Sequence, residues 1–215
     1  MLSGNIAKIN SQSERLDGFT DASMSDDAEL KSFVELRGEY DINGNSMQFG
    51  VAVDEYYDTV EDISVSDGID IAEDEIKKRM WTSFWISDDD FIVVRNSNGT
   101  FAFDIIERAI NGEVERGEFD LHDIINQYPG QWMGSFDDRP DNVNSGTLFG
   151  EDIEQDPDIG DAYETSDKNQ IGVRIPYGGK DYTVRVGESF VQLYGINDRQ
   201  EWLEFVESRM LGFIQ

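Results

Sequence analysis

Residues 170–195, QIGVRIPYGGKDYTVRVGESFVQLYG, decide how the rest of the chain is read. Apolar and polar side chains alternate on both sides of Gly178-Gly179 and again around Gly187-Glu188. A period of two, broken by short glycine turns, predicts three antiparallel strands. Asn197 then stands as an N-cap before DRQEWLEFVESRMLGF, where Trp202, Phe205, Val206 and Met210 share one helical face. Residues 170–215 are therefore expected to form a β-β-β-α unit.

Working back toward residue 1, FVELRGEYDI, Asn43-Gly44 and SMQFGVAVDEYY make a hairpin signal. Asn-Gly accepts the positive φ values of a type I′ turn, whose twist matches the strands it joins. YDTVEDISVSDGI is expected to add a third strand. IAEDEIKKRM, residues 71–80, is expected to be a short helix, acidic at its start and basic at its end as the helix dipole favours. WTSFWIS and FIVVRNS read as strands flanking Asp88-Asp89-Asp90, and Asn98-Gly99 turns the chain into TFAF. DIIERAIN reads as a helix capped by Asp104, with Glu107 three residues later and Ile105, Ile106, Ala109 and Ile110 on one face. DLHDIINQY reads as a second helix, capped by Asp120 and stopped before Pro129.

Two regions lack this periodicity. Residues 1–32 are polar and read as an N-terminal arm. Residues 129–169 carry eleven carboxylates against Arg139 and Lys168 and read as a long acidic excursion. Loops of that length are uncommon inside a compact domain unless they are functional or flexible. Trp132, Phe136, Phe149 and Tyr163 are expected to pin it to the body and to form an interaction surface. The fold class is then α+β: mainly antiparallel β-sheet with a few short helices. The layout is an arm (1–32), a β-rich body (33–128), the excursion (129–169) and the C-terminal unit (170–215), with body and C-terminal unit packed as one domain.

A weak internal echo pairs FWISDDDFIVVRNSNG and DIIERAI with TVRVGESFVQLYGIN and EWLEFVESRML, starting their second strands at Phe91 and Phe190. The order is loosely similar to saddle-like folds with duplicated halves, such as the TATA-binding protein, but none of that family's motif residues is matched. Sheet-and-helix units of this kind are common, and the echo is read as coincidence.

Charge bounds the function. The 215 residues hold 46 Asp and Glu against 17 Lys and Arg, a net charge of −29. Such a surface repels itself in dilute buffer, where the Debye length is about 8–10 Å, and far less near 1 M salt, where it is about 3 Å. Lys occurs only at positions 8, 31, 77, 78, 168 and 180, and Arg is nearly twice as frequent. Arg is weakly hydrated and pairs carboxylates bidentately. This acidic, Lys-poor, Cys-free composition resembles that of the cytosolic proteins of salt-in halophilic archaea and of their viruses. The expected location is such a cytoplasm or a virion, with high-salt counter-ions on the surface. A nucleic-acid mimic would concentrate its acids on particular faces. Here they run from Glu14 and Asp17 to Glu207, which favours the solvent explanation.

Chemistry is mostly excluded. Without Cys, the chain has no disulfide, thiolate zinc site or thiol nucleophile. His122, the only histidine, reads as a solvent-facing helix residue. No phosphate-loop, dinucleotide, nucleophile-elbow or zincin motif occurs, and Gly178-Gly179-Lys180 is a hairpin turn. Asp156, Asp158 and Asp161 in DPDIGDAYE are weak metal candidates, as is the cluster Asp137, Asp138, Asp141 and Asn142; neither has EF-hand spacing. Lys77-Lys78-Arg79 beside Trp81 is the one basic cluster, so direct nucleic-acid binding finds little support. No run approaches the roughly 18 apolar residues of a membrane span, and residues 1–18 lack the apolar core of a secretory signal. The expectation is a soluble, non-enzymatic protein without cofactor, of a halophilic archaeon or its virus, that self-assembles or binds protein partners and could serve as a virion subunit. The alternatives are an acidic mimic that blocks a DNA-binding or defence protein, and a carboxylate-based hydrolase.

Overall fold

The computed structural model describes residues 1–12, 15–25, 28–87, 90–95, 97–139 and 143–215. Within them the strands are β1 (Leu2–Ser11), β2 (Phe19–Ser25), β3 (Ala28–Ile42), β4 (Asn45–Val65), β5 (Ile69–Ser87) and β6 (Phe91–Arg95), followed by β7 (Glu113–Arg116), β8 (Met133–Arg139), β9 (Val143–Phe149), β10 (Asp167–Tyr177), β11 (Lys180–Gly187) and β12 (Phe190–Leu193). The helices are α1 (Phe101–Ile110), α2 (Leu121–Gln127), α3 (Gly160–Glu164) and α4 (Arg199–Phe205), the last running on through a π turn, Val206–Met210. All strand pairs are antiparallel and form one sheet in the order β2-β3-β4-β5-β6-β1-β12-β11-β10-β8-β9, with β7 beside β1.

The largest departure from the sequence reading is at residues 1–32. They are not an arm: β1 lies at the centre of the sheet, with Ile6 and Ala7 fully buried. One edge of β1 pairs with β6, and the other pairs first with β12 and then with β7. The segment looks polar because only its middle is buried, on both faces, by residues as small as Gly4, Asn5 and Ala7. Gly4 is required by a close approach: a Cβ there would stand 2.7 Å from Trp202 Cη2 and 2.7 Å from Val93 Cγ1.

Alternation along the strands sends side chains to two cores. Ile6, Trp85, Phe91, Val93, Val173 and Val184 face α2, α4 and the π turn, where Ile124, Trp202, Phe205 and Met210 are buried. Ala7, Ile9, Phe84, Ile86, Ile92 and Val94 face α1, which buries Ala102, Phe103, Ile105, Ile106 and Ile110. Helix α1 thus covers one face, against β3, β4, β6 and β7, and α2 and α4 cover the other. The same face as α1, continued across β12, β11 and β10, carries no helix among the described residues.

Other expectations changed locally. Residues 71–80 are strand within β5, not a helix; IAEDEIKKRM pairs residue by residue with the preceding segment, which prolongs β4 instead of forming a separate strand. Helix α1 starts at Phe101, so Asp104 lies in its first turn and caps nothing. Asp198 caps α4, in place of Asn197, its side chain accepting from Glu201 N at 3.0 Å. Residues 129–169 hold the β8–β9 hairpin and α3 instead of an aperiodic loop. Three antiparallel strands and a helix do follow Asp167, but β12 also pairs with β1 and β10 with β8, so they do not stand apart from the sheet. Asn43 (φ 51°) and Gly44 (φ 89°) form the β3–β4 turn as read, and Asp120 caps α2, accepting from Asp123 N at 2.9 Å. Asp88 and Asp89 lie outside the described residues.

Gly4→Ala is expected to destabilise the fold by about 1–3 kcal/mol through overpacking against Trp202 and Val93, read from denaturant unfolding. Deleting residues 1–11 is expected to abolish cooperative unfolding, whereas removal of a true arm would leave it unchanged.

Candidate interaction surfaces

Strand β4 loses its β3 partner after Asp54, and β5 pairs with β6 only over Phe84–Ile86. Beyond that point β4 and β5 pair with each other alone, from Glu55↔Arg79 to Val65↔Ile69. Eleven residue pairs at about 3.4 Å per residue make a two-stranded ribbon roughly 35 Å long. Every residue from 61 to 77 is exposed. Near the tip Ile63 opposes Ile71 and Val65 opposes Ile69, so four aliphatic side chains share one face. They are 58%, 59%, 76% and 74% exposed. From 58 to 76 the ribbon holds eight carboxylates and no Lys or Arg. Glu61 even lies opposite Glu73, a pairing that costs stability in a sheet.

The ribbon is tied down at its base. Buried Glu55 takes Lys77 Nζ at 2.6 Å, Arg79 Nε at 2.9 Å and the Lys31 backbone N–H at 3.1 Å. The two cations hold its carboxyl down at about 2, against a usual 4.5. Lys78 pairs with Asp58 at 2.5 Å, which raises the lysine's pKa. The basic trio read as a helix end is thus the clamp of a β-ribbon. The sequence did carry a signal for it: Asp67-Gly68 between Ile63-x-Val65 and Ile69-x-Ile71, a turn pair flanked by period-two alternation.

The four expected interaction residues separate into two pairs. Phe136 and Tyr163 are buried with Ile153 in a small core of their own. The Tyr163 hydroxyl donates to Gln131 Oε1 at 2.7 Å, and its ring sits against Gly134. Trp132 and Phe149 instead meet on the face without a helix. Trp132 lies half-buried over Gly172, edge-on to Tyr194 at 5.9 Å, and Phe149 is 73% exposed. With Thr147, Gln170 and Arg185 they line a cleft of about 390 Å³ that has no carboxylate in its wall.

Among the described residues the metal candidates are engaged in turn and cross-strand hydrogen bonds. Asp156 Oδ1 is occupied by the backbone N–H groups of Asp158 (2.9 Å) and Ile159 (3.2 Å), as in a turn cap. The side chain of Asp161, that of Asp138, and residues Asp141 and Asn142 lie outside the described residues. Asp137 Oδ2 accepts from Asn169 at 2.6 Å. Among the described residues no three His, Asp or Glu are placed to share a metal ion. Exposed His122 borders an open, polar depression of about 320 Å³ with Asp120, Glu164, Asp167 and Glu188, whose wall holds neither Trp nor Tyr. No helix among the described residues is long and apolar enough to cross a membrane. No family model, curated protein or solved structure matches the chain.

Because the Glu55 pKa is depressed on folding, its stabilisation is complete above about pH 4.5 and is lost as pH falls toward about 2. Hydrogen exchange of the ribbon amides is expected to be less protected in Glu55→Gln than in wild type at pH 6. The two proteins should converge as the pH approaches 2.

Proposed function

We propose that this is a non-enzymatic assembly protein of a halophilic archaeon or its virus, a virion subunit in the most specific form, and that residues 55–80 are its assembly arm. One observation carries the reading: a two-stranded ribbon that pairs only with itself ends in four exposed aliphatic side chains on one face. An isolated two-stranded hairpin is marginal in water, and contiguous exposed apolar surface marks an interaction site. A partner that covers the tip supplies what the ribbon lacks. The −29 charge supports the cellular setting, since molar salt screens the carboxylates that line the arm. On this reading residues 170–215 act as one β-β-β-α unit whose uncovered face is the second contact surface.

A second reading has one observation in its favour. Eight carboxylates without a base along the ribbon are a local concentration of acid of the kind a nucleic-acid mimic needs. The apolar tip has no role in such a decoy.

Light scattering coupled to size exclusion, from low to molar salt, tests the proposal. Wild type is expected to associate at high salt, and Ile63→Ser/Ile71→Ser to remain monomeric while keeping the wild-type circular dichroism. A decoy would instead compete with DNA for a basic protein at low salt, equally well with or without the serines.

A further inference from the structure

We infer that the arm's partner is a second copy of this chain, whose Trp132–Phe149–Tyr194 cleft receives the ribbon tip; this rests on the assembly reading above. The two surfaces complement each other in shape and in charge. The tip offers two aliphatic pairs, Ile63 with Ile71 and Val65 with Ile69, as a narrow apolar end. The cleft offers aromatic walls and about 390 Å³ of space.

Charge selects the pairing. Six cations elsewhere are already engaged: Arg15, Arg37, Lys77, Lys78, Arg79 and Arg108 each hold a carboxylate within 3 Å, while Arg199 and Arg209 lie over the rings of Trp85 and Tyr177 on the helix-covered face. Arg185, in the cleft wall, contacts Gln170 and the Phe190 ring instead. Exposed Arg174 shares that face, two residues along β10 from the Gly172 that Trp132 covers. Among the described residues neither arginine makes an ion pair. On the ribbon, Glu61 and Glu73 lie two residues below Ile63 and Ile71 on the same face. Two residues span about 7 Å of strand, so the step from the aliphatic pairs to the glutamates matches the step from Gly172 to Arg174. With the tip in the cleft, those glutamates reach the level of Arg174, while Arg185, opposite Gly172, stands within the cleft itself.

The alternatives fit less well. Two tips meeting about a two-fold axis would set eight carboxylates of one ribbon against eight of another. Within one chain, β6, β1 and β12 separate the ribbon strands from β11, and the tip stands exposed. A tip-to-cleft contact is heterologous, so it propagates head to tail and builds a ring or a filament.

The chain has no cysteine, which makes single-cysteine crosslinking unambiguous. Val65→Cys and Phe149→Cys, both at exposed positions, are purified separately, mixed at high salt and mildly oxidised. Random pairing would make the mixed disulfide equal to the two homodimers together. The expected result is a mixed disulfide in excess of that sum by about tenfold, reduced by Arg174→Glu/Arg185→Glu in the Phe149→Cys partner. A dominant Val65–Val65 or Phe149–Phe149 disulfide overturns the inference and leaves the assembly reading standing, as does assembly of wild type with no mixed disulfide. Monomeric wild type at every salt concentration, with no disulfide of any kind, overturns self-assembly and the inference together.

Discussion

The hydrogen bonds of β1 join the two halves of this protein. On one side lie β2 to β6 and helix α1, and on the other β8 to β12 with α2 and α4. The sheet is continuous only because Leu2–Asn5 pair with β12 while Gly4–Lys8 pair with β6. A strand hydrogen-bonded on both edges and covered on both faces has no room for large side chains everywhere. Gly4 lets the edge of the Trp202 ring approach the backbone closely, and Ile6 and Ala7 point into opposite cores. The β1–β12 pairs join residues almost two hundred positions apart and the β1–β6 pairs residues about ninety apart, so the sheet rests on contacts of high contact order.

The second constraint is electrostatic. Charge repulsion acts on the whole chain, and along the ribbon, where the chain is least supported, eight carboxylates stand without a base. There the compensation is local: three basic residues in sequence, each on a carboxylate, at the point where the ribbon leaves the sheet. Glu55 is buried with two cations and a backbone donor, so its charge is satisfied and the base is rigid. Beyond it the chain relies on cross-strand hydrogen bonds and on solvent ions. The part of the molecule with the fewest neighbours in the sheet is thus also the part most sensitive to salt.

Much of the sheet was legible from the residues alone. Asn43-Gly44 and Gly178-Gly179 marked hairpins because only a few residues accept positive φ, and Trp202, Phe205, Val206 and Met210 showed a helical face by spacing. The misreadings share a physical cause. IAEDEIKKRM has helix-forming residues and dipole-matched ends, yet it is a strand because the segment before Asp67-Gly68 offers it a complete ladder. Residues 1–11 have weak propensity of their own and are strand because β6 and β12 present free edges. Phe136 and Tyr163 could not be told from Trp132 and Phe149 by type, since all four are aromatics in an acidic segment. Only the β8–β9 hairpin decides which pair is buried.

The sequence by itself determined the class of the fold, the strongly acidic net charge, the positions of the tight turns and the absence of thiol chemistry. Those follow from composition and from local backbone preference, which act over a few residues. Tertiary structure alone decided that β1 is central, that β4 and β5 outrun their neighbours, and which face of β10 to β12 stays open. Each of these depends on how many partners a strand finds, a property of the whole sheet that no window of sequence contains.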